Sequence, residues 1–544
     1  MSDTEVDAVV VGGGHNGLVA ANLLADAGWD VLVCEAADAP GGAVRSAEIT
    51  APGFTNDLFS AFYPLGAASP VLRGLDLDRH GLRWRHAPAV LAHVTPADRC
   101  VVLSRDLDVT AAGLDAWAPG DGDAWRDLVA QWRRIRDPLL DTVLRPFPPV
   151  RAAPRLLRAL GTAEALRFAR MLVQPVAGFG REHFTGDGAA LLLAGNALHT
   201  DLGPDAGGSA VFGWLLAMLG QDVGFPVPEG GAGRLTDALV ARLRARGGRL
   251  DVGRPVRRVL VAGGRALGVR DADGVAVRAR RAVLADVAAP LLYRELVGEE
   301  HLPDRFVDDL RRFEWDFATV KIDWALDGPV PWTAPGARGA GTVHLGVGLD
   351  GMRDYATDLA AGRVPREPFV LFGQMTTADP TRSPAGTEAA WAYTHVPRDL
   401  GWTADDVRRH ADLVEAAVER NAPGFGALVR ARSVAGPPDL QDRNPSLVDG
   451  AINAGTAAIH QQLVFRPVPG TARADTPVDR LFLAGASAHP GGAVHGAPGA
   501  NAARAALAAS GAAGPLYRAA VRAVHRRIHP PGPVRRAAQR PDLE

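Results

Sequence analysis

Gly12-Gly13-Gly14-His15-Asn16-Gly17 carries three glycines at GxGxxG spacing, Gly12, Gly14 and Gly17, and a carboxylate follows at Glu35. That set can grip a dinucleotide. Gly12 permits a tight turn, Gly14 lets backbone approach a pyrophosphate, and Gly17 lets a helix pack closely on a strand. The phosphates would rest on the helix N-terminus, where free N–H groups and the helix dipole favour an anion. Glu35 lies 18 residues beyond Gly17 and can accept hydrogen bonds from a ribose diol.

The elements needed to position these residues surround them. Residues 6–11 (VDAVVV) form a β-branched apolar run that predicts a buried parallel strand. Leu18, Ala21, Leu24 and Ala25 then recur at helical spacing, Gly28 closes that helix, and residues 30–34 (DVLVC) predict a second strand ending at Glu35. No other stretch combines a strand, GxGxxG and a helix, so one dinucleotide site is expected and tightly bound pyridine nucleotide is not.

A glycine pair, Gly41-Gly42, follows Glu35 after five residues and would let a second loop approach the cofactor. This arrangement resembles the FAD-containing amine oxidase and phytoene desaturase superfamily. Members often carry Arg directly after the pair; here Ala43 and Val44 intervene and Arg45 comes third. GGGHNGLVAA at residues 12–21, with His15-Asn16, is similar to one branch of it. That branch holds phytoene-desaturase-related bacterial proteins, a β-carotene ketolase type and an animal protein named for pyridine nucleotide–disulfide oxidoreductases. The far end agrees, with RLFLAG at 480–485, HPGGAVHG at 489–496 and Asn501-Ala502-Ala503.

The resemblance implies an α/β fold: a Rossmann-like FAD-binding domain with a discontinuous mixed-sheet substrate domain and a helical cap. It assigns residues 1–75, 225–300 and 440–512 to the FAD domain and 76–224 with 301–439 to the substrate and cap domain, leaving 513–544 as a basic tail. It implies FAD as cofactor. It carries Gly12, Gly14, His15, Asn16, Gly17, Glu35, Gly41, Gly42, Arg45, Val256, Gly485, Gly492 and Gly496 over as cofactor-binding residues. Ser487 or backbone would serve the flavin side chain where other members have an acid. A helix starting at Pro498 would aim its N-terminus at the flavin.

Three residues are candidates for catalysis. His489 and His495 fall in the glycine-rich loop before that helix. Lys321 is the lone Lys among 59 basic residues, the other 58 being Arg; either it marks a place where a compact ammonium is needed or it is a chance survivor in an Arg-biased chain. It lies in residues 317–326, where Ala318, Val320, Ile322, Trp324 and Leu326 would face one side and Thr319, Lys321 and Asp323 the other. Further short strands are expected at 249–252, 256–261, 267–270, 275–278 and 282–285. Arg466, Gln461 and Gln462 would line the substrate cavity.

The 544 residues hold 47% apolar and 22% charged residues with a net charge of −2, ordinary for a globular protein and without a basic field for nucleic acid. Two cysteines, Cys34 and Cys100, exclude a disulfide scaffold, a CxxC pair and a four-cysteine metal site. The N-terminus lacks a secretory pattern, so a cytoplasmic location is expected. Residues 133–170 carry nine Arg against three acids, interleaved with Leu, Val and Phe. Such a lip could lie on an anionic membrane face, or be a solvated cap helix. The chain beyond Pro530 is expected to be disordered. The expected activity is oxidation or desaturation of a lipophilic isoprenoid or polyene, with oxygen or a quinone accepting the electrons. A flavin-binding regulatory protein and an amine-oxidase-like enzyme remain as alternatives.

Overall fold

The computed structural model describes residues 4–95 and 99–530; the expectation for the chain beyond Pro530 lies outside them. The glycine motif joins strand β1 (Thr4–Val11) to helix α1 (His15–Asp26), and strand β2 (Val31–Cys34) follows. These belong to a seven-stranded sheet whose spatial order is 256–262, 265–271, 276–285, β1, β2 and 249–251. The seventh strand, Leu481–Leu483, pairs in parallel with Val283–Ala285.

The strands expected at 275–278 and 282–285 are one, Ala276–Ala285. Arg280 and Arg281 interrupt the apolar run but not the strand. The register with β1 shifts between Val6 and Ala8, and both arginines pair with Asp7 there. That bulge absorbs two charged residues at the sheet margin and leaves Ala282–Ala285 buried beside β1. α1 is buried on every side except its C-terminal end, because the sheet, the Gly233–Ala245 helix and the Ala497–Ser510 helix enclose it.

A second seven-stranded sheet has the order 429–435, 318–326, 388–396, 370–374, 340–345, 89–94 and 100–103. One face packs on the Ala404–Asn421 helix, whose Thr403 and Asp406 form a capping box. The other face lies under a helical cap that includes Asp121–Val143, Asp187–Ala197 and Ser209–Asp222. All nine residues of Ala318–Leu326 are buried. The polar side anticipated from their alternation does not meet water; it is covered by the cap and by the first sheet's loops.

Candidate cofactor and substrate site

The glycine loop leaves β1 with Gly12 at φ 96°, where a side chain is strained. A Cβ on Gly17 would stand 2.2 Å from Gly12 O, so helix and loop touch backbone to backbone. Gly13 N–H donates to Glu35 Oε2 at 2.6 Å and Ala37 N–H to Oε1 at 2.8 Å, which fixes the carboxylate at the end of β2. Arg254 N–H donates to Glu35 O, and Val256 opens the next strand two residues on. The glycine pair lies against the first loop: Gly41 N–H donates to Gly13 O at 2.8 Å, and a Cβ on Gly42 would approach Gly14 Cα to 3.1 Å. Arg45 is turned to carbonyls, Gly42 O at 3.1 Å and Arg443 O at 2.7 Å, and ties the pair to the 443 segment. His15 and Asn16 are buried, and His15 Nε2 and Asn16 Oδ1 have no hydrogen-bond partner among the described residues. Burial pushes the His15 imidazole down to about 4, so it is neutral.

The second half of the site comes from residues 485–497. Gly485 runs beside Val287 O, Gly492 beside Asn453, and Gly496 beside Val19 of α1. His495 accepts the Ala497 N–H at Nδ1 (3.1 Å) and therefore holds its proton at Nε2, which faces Gly492 O at 3.0 Å. Both ring nitrogens are committed to its own loop, so the side expected to do chemistry braces the loop instead. His489 Nε2 faces Arg145 O at 2.9 Å and joins the loop to the cap, while its Nδ1 has no partner. Burial lowers both imidazoles, to about 3 for His495 and about 4 for His489.

Ser487 is engaged as well: its Oγ donates to Ala454 O at 2.9 Å and accepts the Ala289 N–H at 3.0 Å. Arg466, expected in the cavity wall, is buried and grips carbonyls of Asn453, Ala454, Gly455, Thr456 and Ala486. Gln461 bonds the Glu314 backbone. Asp316 accepts N–H groups of Asn453 and Gly455, and Asp201 that of Ala457. Burial, with Asp201 nearby, pushes Asp316 up to about 6. The 453–457 loop is thus held on one side by a guanidinium and on the other by two acids.

Lys321 lies on the cap-side face of the second sheet. Register places Lys321, Tyr393, Leu371, His344 and His93 in one row across five strands. Lys321 Nζ sits 2.5 Å from both Asp323 oxygens and 5.9 Å from the Trp391 ring centroid. Trp391 in turn stacks on Tyr393 at 5.9 Å and leans on Phe62 at 6.0 Å. Gly373 makes room for it, since a Cβ there would stand 2.4 Å from the indole. At the far end of the row His344 Nε2 and His199 Nε2 are 2.8 Å apart, and His93 Nδ1 and His344 Nδ1 have no hydrogen-bond partner among the described residues. Burial lowers His93 and His395 to about 4 and His199 to about 3, so this face carries neutral imidazoles. A cleft of about 250 Å³ opens beside His395, between Leu198, Phe317 and Tyr355.

Lys321 was visible in the composition; the four histidines and Asp286 were not. Successive histidines lie 51 to 145 residues apart along the chain; strand register brings His93 beside His344, and the turn after the Asp187–Ala197 helix brings His199. Asp286, fitted against Gly12, Gly14 and Gly17, had one signal: an acid directly after an apolar strand that pairs with β1.

Two features fit a dinucleotide diphosphate: the polar atoms at the start of α1 that lack a partner among the described residues, and a glycine loop so tightly packed that a Cβ at Gly14 would stand 2.6 Å from the Asp286 carboxylate. Residues 17–507 match the family described as flavin containing amine oxidoreductase. The chain belongs to that family. FAD is therefore the cofactor, and the amine-oxidase type of α/β fold is that of the structure. Within the family, the chain is 30% identical to mouse pyridine nucleotide-disulfide oxidoreductase domain-containing protein 2, over 92% of this chain and 93% of that one. It is 28% identical to the zeta-carotene-forming phytoene desaturase of Myxococcus xanthus, over 89% and 90% of the two chains. The fold is shared with cyclohexylamine oxidase from Brevibacterium oxydans, at a TM-score of 0.56 and 17% identity over 93% and 98%.

Proposed function

We propose that this flavin oxidoreductase desaturates or oxidises a lipophilic isoprenoid or polyene. The observation that carries this reading is the sheet face bearing Lys321. Among the described residues, the cation borne by its own strands is an ammonium paired with Asp323 and set against Trp391, with Arg443 reaching toward Asp323 from outside the sheet. Its imidazoles are neutral, and the cap helix above it offers Val211, Leu215 and Leu216, which are only partly buried. An amine substrate would bring a second cation to the place Lys321 holds. A neutral hydrocarbon meets no such repulsion. The phytoene desaturase relative supports the same reading.

Bound FAD would supply the acceptor for a hydride taken from a substrate C–H bond. The chain's own residues would bind and orient. The Gly41-Gly42 loop, Glu35 and α1 would hold the dinucleotide, the clamped 453–457 loop would support the 485–497 segment, and the cap would exclude water. Lys321, held by Asp323, would present an N–H to the cofactor side of the cavity. Arg151, Arg155 and Arg158, with Val150, Leu157 and Leu166, would rest on an anionic bilayer from which such a substrate is drawn.

Anaerobic mixing of the yellow protein with a polyene, with an acyclic isoprenoid and with putrescine tests the assignment. Bleaching of the flavin band by a polyene or isoprenoid is expected. Bleaching by the amine alone would replace it with an amine oxidase, and no bleaching by any would favour a flavin-binding regulatory role. Readmitting oxygen or a soluble quinone then identifies the electron acceptor.

A further inference from the structure

Asp286 follows the Ala276–Ala285 strand directly. Its N–H donates to Val11 O at 2.7 Å, tying it to the end of β1. Its side chain crosses the mouth of α1, where Oδ2 accepts the Gly17 N–H at 2.8 Å. A Cβ on Gly14 would lie 2.6 Å from that oxygen, and one on Gly17 3.2 Å from it. A Cβ on Gly12 would lie 3.4 Å from Asp286 Cβ. The carboxyl group therefore lies against all three glycines of the loop that would carry the cofactor's diphosphate. It also occupies a first-turn N–H of α1, one of the groups that would otherwise meet an anion.

Among the described residues no cation balances it. From β2 the facing charge is Glu35, which is negative. From α1 come the Gly17 N–H and the neutral His15. The 41–45 loop brings Arg45, whose guanidinium is engaged with Gly42 and Arg443 carbonyls. The 485–487 segment brings Gly485 and Ser487, which carry no charge. Burial pushes the Asp286 carboxyl up to about 7, and Glu35 adds to the rise against the Gly17 N–H. A diphosphate adds two more negative charges to the same water-poor space. Like charges this close favour protonation of the weaker acid.

We propose that FAD binds the protonated form of Asp286, whose carboxyl O–H donates to a diphosphate oxygen, so that binding one FAD takes up one proton. The diphosphate keeps its charge from pH 6 to 9, so the proton goes to the protein. Retention then weakens as pH rises: above neutrality the Kd climbs about tenfold per pH unit, until the ionised form's own weaker binding is reached.

The test is FAD release from full-length holoprotein on serial dilution, followed by flavin fluorescence between about pH 6 and 9. A slope near one in log Kd against pH is expected for the wild type. Asp286→Asn can still accept from Gly17 and donate an N–H to the diphosphate, so it should give a flat profile and hold FAD at least tenfold more tightly at pH 9. A flat wild-type profile, or an Asp286→Asn slope equal to wild type, would overturn the proposal. Calorimetry of FAD binding to the wild type near pH 8, in two buffers of different ionisation enthalpy, needs no variant: uptake of about one proton supports it and none refutes it. No substrate is present in either measurement, so the result does not depend on the substrate proposed above.

Discussion

At the scale of single residues, two features invite substitution: the glycine loop and the buried ion pair of Lys321 with Asp323. Gly14→Val would drive its side chain into Asp286 Oδ2, which a Cβ alone already meets at 2.6 Å. Its expected outcome is a folded, colourless protein, checked by the flavin absorbance per chain after gel filtration. Lys321→Met is a harsher change than its size suggests. It strands the Asp323 carboxylate in a buried site, a loss of about 3–5 kcal/mol for a broken buried pair, and a lower Tm is expected. The double variant Lys321→Met with Asp323→Asn removes both charges and should recover most of that stability. If Lys321 serves the flavin, the double variant still slows flavin reduction or reoxidation by about tenfold or more, about 1.4 kcal/mol in the barrier. Stopped-flow rates equal to wild type would leave the pair a purely structural one.

At the scale of elements, α1 and the Ala497–Ser510 helix share the tightest backbone approach at the site. A Cβ on Gly499 would stand 1.9 Å from Asn16 O. Gly499→Ala should therefore push the helices apart, at about 1–3 kcal/mol for an overpacked contact. Thermal unfolding and FAD affinity should fall together, since Asn16 belongs to the first turn of α1. The β1–α1–β2 unit, the glycine pair and the Ala497–Ser510 helix were legible in the sequence because the strand, turn and helix signals of each are local to it. The long Ala276–Ala285 strand was read as two, because the Asp7 bulge that accommodates Arg280 and Arg281 is a tertiary fact. The role of His495 was not legible either. Spacing put it in the right loop, but only the Ala497 and Gly492 contacts show that its ring is spent there.

At the scale of the whole molecule, the Arg-rich stretch divides. Leu139, Leu140, Leu156, Leu160 and Phe168 pack into the cap core, which accounts for much of its apolar content. Val150, Leu157 and Leu166 stay 75%, 57% and 70% exposed. Arg136, Arg145, Arg167 and Arg170 have acidic partners, whereas Arg151, Arg155 and Arg158 make no ion pair among the described residues. Among those residues no helix is long and apolar enough to cross a membrane. Arg133 and Arg134 are likewise exposed without an ion pair among the described residues, so peripheral contact would run through up to five arginines and three aliphatic side chains, at about 1 kcal/mol per well-placed basic residue on an anionic surface. Flotation with phosphatidylserine liposomes should show binding that salt reverses, and Arg155→Glu with Arg158→Glu should abolish it while the flavin spectrum stays unchanged. No flotation at low salt would return the segment to a solvated cap. The pairing of Leu481–Leu483 with Ala276–Ala285, itself paired to β1, has a consequence for how the protein is made. On the ribosome, the glycine loop emerges hundreds of residues before the loop that closes over it. β1 and β2 find their neighbours once residues 249–285 are made, but Val283–Ala285 must wait through the second half of synthesis with one edge unpaired until Leu481–Leu483 arrives. A premature stop before residue 480 would leave a nascent protein that has its nucleotide fingerprint intact and no means of keeping the nucleotide.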